Sequence, residues 1–415
     1  MGPLEPVPRS AQDAIRTEHA GRKLHFPPLR RGEAPGAPPL PAPSVPLLWV
    51  DPLRINLIYG AQDLAEAIHF REEVRAGDWD RPAPIRFAQT KLFTALEGHL
   101  LLGEPWESTA FFKRVVKAIK RGETKFGCST EEEFQERRRL IDELYTVIRA
   151  DGYRTQSELG TRHPHDEIRV AIRRDGRFMF LDGRHRLSIA RILGLPEIPV
   201  RVTVRHAEWE AFKSEIWEYA RKRDGRIYQV IDHPDLREIP AHHGSERVDL
   251  LTDALSGYDC RKKRLLDIGT HWGFMAMQME KLGFLPTGVE SNARNARFAK
   301  RLAVASESGL VVWRGDIFDF PEAEQQQLVL ALNIFHHLIK TQERHDRLIR
   351  FLRRLTRAEV LFFEPHRSDS AQLKGAFRNY AEEEFAEFVA EHAGMRDIQH
   401  LGTASDGRHL FMLSR

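Results

Sequence analysis

The sequence predicts an α/β chain of two parts: a doubly wound, seven-stranded sheet in residues 246 to 415, preceded by an α+β domain with a helical insert. Three observations predict it. Arg264-Leu-Leu-Asp-Ile-Gly-Thr-His-Trp-Gly273 followed by Thr287-Gly-Val-Glu290 describes a βαβ unit. Further short apolar runs, each ending in a polar residue, follow it to residue 414. Upstream, Ile168 to Thr203 reads as a hairpin, a glycine turn, a helix and a strand.

In the βαβ unit, Leu265, Leu266 and Ile268 form a short strand of the buried parallel kind, and Gly269 and Gly273 remove side chains where the backbone turns into the next helix. Glu290 ends the second strand 23 residues after Asp267, near the spacing of roughly 20 at which such folds place a ribose-binding carboxylate. Adenosine is common to dinucleotides and to sulfonium cofactors. The turn lacks the G-x-G-x-x-G spacing that brings a pyrophosphate onto a helix N-terminus, and Asp267 would repel phosphate. A cationic, phosphate-free cofactor fits better.

Leu310 to Asp316 reads as a third strand, Gln327 to Asn333 as a fourth opening into Ile334-Phe-His-His-Leu338, and Glu359 to His366 as a fifth. Tyr380 to Ala393 is helical, and Asp397 to Leu401 with His409 to Ser414 closes the sheet as an antiparallel pair. This D-x-G-x-x-x-G turn and element order resemble the Rossmann-like class I methyltransferases, with one departure: His271 stands where those families often carry a middle glycine. The resemblance implies S-adenosyl-L-methionine as cofactor, bound by Asp267, Gly269, Thr270, His271, Gly273, Glu290, Asp316, Ile317 and Asn333. It places Asp316 against the adenine amino group and the meeting of methyl donor and acceptor after the fourth strand.

Methyl transfer from a sulfonium is an in-line displacement, so alignment matters most, with a base where the nucleophile carries a proton. A histidine near neutral pKa suits that base. His337, then His336, are the catalytic candidates, with His366 behind them; the alternative is that one of the pair caps the strand end or packs under the cofactor. Nothing like the Asn-Pro-Pro-Tyr segment of base-methylating enzymes follows the fourth strand, so the expected acceptor is a small or glycan-like polar molecule.

Upstream, Ile168 to Asp182 reads as a hairpin turning at Asp175-Gly176, followed by Gly183-Arg-His-Arg186, a helix from Leu187 to Leu193 ended by Gly194, and a strand from Ile198 to Thr203. Asp-Gly-x-His-Arg-Leu, helix, Leu-Gly-Leu and Ile-Pro-Val resemble the ParB/sulfiredoxin-like fold over about 40 residues. A glycine turn at a helix N-terminus surrounded by arginines suits an anion. Asp182, Gly183, Arg184, His185 and Arg186 are therefore the candidate anion- or nucleotide-binding set, and the resemblance implies nucleotide phosphates. The plainer alternative has Asp182 capping the helix and pairing with Arg186. The sulfiredoxin cysteine has no counterpart here, so peroxiredoxin repair is not expected.

Residues 1 to 46 hold nearly half of the 23 prolines and are expected to stay extended or disordered. The remaining layout is a ParB/sulfiredoxin-like domain at 47–205 with a helical insert at 61–160, a helical linker at 206–245, and the methyltransferase-like domain at 246–415. Order is expected from Leu47 to Val50, with a turn at Asp51-Pro52 and a strand from Arg54 to Ile58. Insert helices are expected at Asp63 to Arg75, Lys91 to Leu96, Ser108 to Ile119 and Thr130 to Ala150, and a further helix at Ala207 to Arg223. Trp79 and Trp106 look exposed in loops beside carboxylates, which suits either a sugar-binding surface or packing of the insert.

A hydrophobic fraction of 41%, a charged fraction of 30% and a net charge of only +3 indicate a globular chain whose charge does not suggest nucleic acid as a partner. Two cysteines, far apart, form no metal or disulfide pattern, and no signal segment or 18-residue apolar run is present. A cytoplasmic setting is expected. A competing function makes the N-terminal domain a nucleotide-binding or phosphoryl-transfer module and the methyltransferase-like domain a sensor or scaffold.

Overall fold

The computed structural model describes residues 47–415 apart from 61–62, 64–66, 68–72, 83 and 162–165. It divides into two compact units, one running to Glu210 and the other from Ala211. The Pro-rich segment at 1–46 lies outside the described residues.

The first unit is built on a seven-stranded mixed sheet. Strands β1 (Leu48–Val50), β7 (Ile198–His206), β5 (Ile168–Ile172), β6 (Phe178–Asp182), β2 (Leu57–Ile58) and β4 (Ile85–Arg86) lie in that order, with β3 (Glu73–Arg75) also paired to β7. β7 is central because eight of its nine residues are buried, as expected of a strand covered on both faces. The β5–β6 hairpin forms as expected, with Gly176 in its turn at φ +86°. Three helices follow β4: α1 (Lys91–Leu102), α2 (Ala110–Ile119) and α3 (Glu131–Asp151). Thr90, Thr109 and Thr130 each cap one by accepting a backbone N–H, and Glu133 completes a capping box on α3. Their apolar faces meet around Leu96, Phe111, Val115 and Phe134.

Several expectations are corrected here. Pro52–Arg54 is a 3-10 turn capped by Asp51, which shortens the expected strand to Leu57–Ile58. Glu73–Arg75 is a strand where helix was expected, because it extends the edge of β7; most of the expected Asp63 to Arg75 helix otherwise lies outside the described residues. Trp106 is buried and its indole N–H donates to Asp142. Trp79 donates to the Arg75 carbonyl and stands 5.6 Å from the His206 ring. Both tryptophans pack the unit together.

The second unit carries the doubly wound sheet. Its order is β12 (Val311–Arg314), β11 (Leu285–Glu290), β10 (Arg264–Ile268), β13 (Leu328–Leu332), β14 (Val360–Glu364), β16 (His409–Ser414) and β15 (Asp397–Thr403). The first five strands are parallel and the last two form an antiparallel hairpin against β14. This mixed α/β architecture is the one the methyltransferase resemblance implies. Helices α6 (Glu246–Ala254), α7 (Phe274–Lys281), α8 (Ala293–Ala305), α9 (Gln342–Leu352) and α10 (Glu382–Ala393) connect the strands, and apolar clusters fill both sheet faces. The stretch 211–245, expected as a linker, belongs to this unit. It contains most of α5 (Ala207–Arg221) and a separate two-stranded parallel ribbon, β8 (Ile227–Gln229) with β9 (Ala241–His243). Among the described residues no helix is long and apolar enough to cross a membrane.

Candidate functional site

The C-terminal ends of β10, β11 and β13 bring most of the expected cofactor residues together, as open parallel sheets do where strand order reverses. Asp267 lies on β10 directly opposite Gly288 of β11 and Leu330 of β13. It is buried, 4% exposed, and accepts the Thr270 hydroxyl at 2.7 Å. Burial, followed by the nearby Glu290 charge, pushes its pKa up to about 6. Glu290 ends β11, also buried, and accepts the backbone N–H groups of Asn292 at 2.8 Å and His271 at 3.0 Å. Its pKa too is raised, chiefly by burial. Two carboxylates pressed upward at adjacent strand ends are unfavourable without a cationic partner.

The turn between them has a left-handed backbone. Gly269 sits at φ +71°, and a Cβ there would fall 2.7 Å from Ile334 Cδ1. That glycine answers to the β13 loop packing across it. His271 adopts φ +54°, a region that costs a side-chain-bearing residue roughly 1–2 kcal/mol and that a glycine would adopt without this strain. Its ring stacks on Trp272 at 4.9 Å and 18°, and burial lowers its pKa to about 4. His271 Nδ1 is buried with no hydrogen-bond partner among the described residues. Gly273 is the N-cap of α7.

Asp316 caps the 3-10 turn Ile317–Asp319 through the Phe318 N–H and lies 3.5 Å from Arg344; Ile317 is buried beneath it. Asn333 follows β13 at φ +52°. Its Nδ2 donates to the Tyr228 hydroxyl at 3.4 Å, and its Oδ1 lies 2.8 Å from His366 Nδ1. Tyr228, on β8, went unnoticed in the sequence because Tyr228 stands in a segment without clear periodicity.

The histidines form a stack. His336 is buried between His337, at 3.8 Å between ring centroids, and His366, at 4.3 Å. Burial pulls His336 down to about 3, and all three fall below the usual imidazole range, so they are neutral near pH 7. His366 has both nitrogens engaged, the second with the Ser370 hydroxyl at 2.8 Å. His337 alone of the three is exposed. Behind them, Glu364 at the end of β14 is buried and held by Arg247 at 2.5 Å, while Arg247 also binds Asp406 at 2.7 Å.

In the first unit, α4 (Arg184–Ile192) begins one turn earlier than expected, with Gly183 as its N-cap at φ +91°. A Cβ on Gly183 would lie 3.0 Å from the Ile168 Cα, so this turn is fixed by its packing on β5. The pairing of Asp182 with Arg186 is not found. Asp182 binds Arg169 at 2.8 Å and its own neighbour Gly183 N–H, because the β5–β6 register sets Arg169 opposite Asp182. Arg186 turns instead to Asp166 and Glu167. Arg184 has no carboxylate within ion-pairing distance among the described residues, and its guanidinium lies over Phe180 at 5.8 Å. The His185 ring meets Phe126 edge-on at 5.1 Å, with Nε2 buried and unpartnered among the described residues. Burial, then Arg137, lowers its pKa to about 3.

No protein-family model and no curated protein matches the chain. Among solved structures it is similar to monomeric WbdD, at 22% identity over 48% of this chain and 48% of that one, with a TM-score of 0.39. A second structure, of "the bifunctional kinase-methyltransferase WbdD", aligns at 20% identity over 48% and 46%, with a TM-score of 0.39. The magnesium protoporphyrin IX methyltransferase ChlM from Synechocystis PCC 6803, with bound SAM, aligns at 14% identity over 41% of this chain and 79% of that one, with a TM-score of 0.33. The chain thus spans less than half the length of the WbdD structures it matches.

Proposed function

We propose that the chain is an S-adenosyl-L-methionine-dependent methyltransferase acting on a small or glycan-like polar acceptor, with an N-terminal ParB/sulfiredoxin-like unit that holds an anionic part of it. The observation that carries the reading is the pair of buried, upward-shifted carboxylates, Asp267 and Glu290, flanking a left-handed turn at adjacent strand ends. Backbone N–H groups hold both Glu290 oxygens in place, and an ionised carboxylate has about four acceptor positions, which leaves room for a ribose hydroxyl. Asp316 and Ile317 would border the adenine.

When bound, the cofactor supplies an electrophilic methyl group on a positively charged sulfur. His337 is the base best placed to take a proton from the acceptor: it is neutral near pH 7 and exposed at the strand end. His336 is sealed between two rings and His366 is hydrogen-bonded through both nitrogens, so these two orient His337 and the Asn333 turn. Arg184, which has no carboxylate within ion-pairing distance among the described residues, supports anion binding at the Gly183 turn. Both Asp182 oxygens are engaged, which favours binding there over phosphoryl chemistry.

Calorimetric titration tests this. S-adenosyl-L-methionine should bind the wild-type chain, and Glu290→Ala should weaken binding at least about tenfold through the lost charge-assisted hydrogen bonds. Absence of binding to a folded wild type, or equal binding by Glu290→Ala, would overturn the proposal. Titrating inorganic triphosphate into wild type and Arg184→Ala tests the other unit, and identical isotherms would remove the anion site.

A further inference from the structure

The β8–β9 ribbon does not join the main sheet, yet it delivers one side chain to the centre of the site. The Tyr228 ring lies 5.2 Å from the His271 ring in the cofactor turn, and its hydroxyl accepts from the Asn333 amide at the end of β13. Tyr228 therefore spans the turn that would seat the donor and the strand end where the acceptor would arrive. A third ring, Trp272, continues the wall behind His271.

This wall is held from behind. His243 of β9 meets Tyr228 edge-on at 4.7 Å, and its Nδ1 is 3.4 Å from Asp406. Asp406 is bound to Arg247, and Arg247 to Glu364 at the end of β14. The ribbon's ring is thus fixed to the same strand ends as the rest of the site.

The rings differ in chemistry from the carboxylates. A sulfonium has no N–H to donate, so it gains from ring faces and from oxygen lone pairs that meet its polarised carbons. A thioether carries no charge and gains far less. In transfer, the acceptor's lone pair forms the new bond to the methyl carbon. The sulfur–methyl bond breaks with its electron pair passing to sulfur, and the acceptor proton goes to the base; the donor's positive charge is gone.

We propose that Tyr228 is a specificity-determining residue that distinguishes the charged methyl donor from its neutral thioether product. The proposal rests on the methyl-donor reading of this site. Its consequence is favourable release of spent cofactor, since the wall that grips the sulfonium has little hold on the thioether.

The test measures dissociation constants of S-adenosylmethionine and S-adenosylhomocysteine for wild type, Tyr228→Phe and Tyr228→Leu, with thermal melts as the folding control. The ratio of the thioether's constant to the sulfonium's should fall about 3- to 30-fold in Tyr228→Leu, the span expected for a ring–cation contact. It should fall less in Tyr228→Phe, which keeps the ring. If the leucine variant melts early, Tyr228→Met, whose flexible unbranched side chain adapts to an irregular space without offering a π-face, should show the same fall. A wild type that binds both ligands while the leucine or methionine variant leaves the ratio unchanged overturns this proposal alone. A wild type that binds neither overturns the methyl-donor reading, and this proposal with it.

Discussion

Replacing Asp267 by Asn should make the ligand-free protein more stable, and only at higher pH. The Asp267 carboxyl is buried and its pKa is raised from 3.8 to about 6. For an acid raised on folding, the folded state prefers the protonated form. Ionisation is therefore unfavourable to folding, and stability is lost as pH climbs from 3.8 through about 6. A shift of about two units corresponds to about 3 kcal/mol above pH 7. Asparagine keeps the contacts, because the Thr270 hydroxyl that donates to Asp267 can rotate to accept from an amide. The assay is urea denaturation at pH 4 and pH 8, followed through hydrogen exchange of the β10 amides so that the signal comes from this unit. Asp267→Asn should exceed wild type by about 2–3 kcal/mol at pH 8 and by little at pH 4. Equal differences at the two pH values, or a less stable variant at pH 8, would refute the reasoning. A stabilised variant with weakened donor binding would be a stability–function exchange of the usual kind.

Four further outcomes are expected. S-adenosyl-L-methionine should bind more weakly as pH falls below about 6, where Asp267 takes up a proton; calorimetry in two buffers of different ionisation heat should show proton release on binding, and a flat profile would contradict it. Arg247→Met takes the hydrogen-bonded guanidinium from Glu364, which is 1% exposed and keeps only Arg408 at 3.6 Å, and should cost about 3 kcal/mol; denaturation should show partial recovery on adding Glu364→Gln. His337→Gln should lower kcat by about 10² or more while leaving donor affinity nearly unchanged, and an unaltered kcat would remove it as the base. Thr130→Ala removes the α3 cap and should weaken that helix by about 1 kcal/mol, read as faster exchange of its first-turn amides.

What the sequence reveals here is what local spacing determines. Short apolar runs ending at Asp267, Glu290 and Asn333 locate strand ends, because strand, turn and helix are each written within a few residues. The partners of those residues are written elsewhere. Tyr228 meets Asn333 across 105 positions, and no pattern in either segment signals the other. Arg186 pairs with Asp166 and Glu167 rather than Asp182 because strand register, set by β5 against β6, gives Asp182 to Arg169. Trp106 looked exposed because its flanking residues are polar; a helix 36 positions away supplies its hydrogen-bond acceptor, Asp142. Edge strand β3 was misread because strand formation there depends on β7, not on its own propensity.

The Arg247 cluster also has a bearing on the order of assembly. Besides the adjacent Glu246, its partners lie 117 and 159 residues downstream, at Glu364 and Asp406. Contacts of such long sequence separation form late, after the loop entropy between them has been overcome. During synthesis, β10 and β11 can pair while Arg247 still lacks both carboxylates. The ribbon carrying Tyr228 gains its anchor only once Asp406 has left the ribosome. Until then the Arg247 guanidinium has only its neighbour Glu246 as counter-charge, so the last hairpin acts as a latch that makes a competent site a late product of folding.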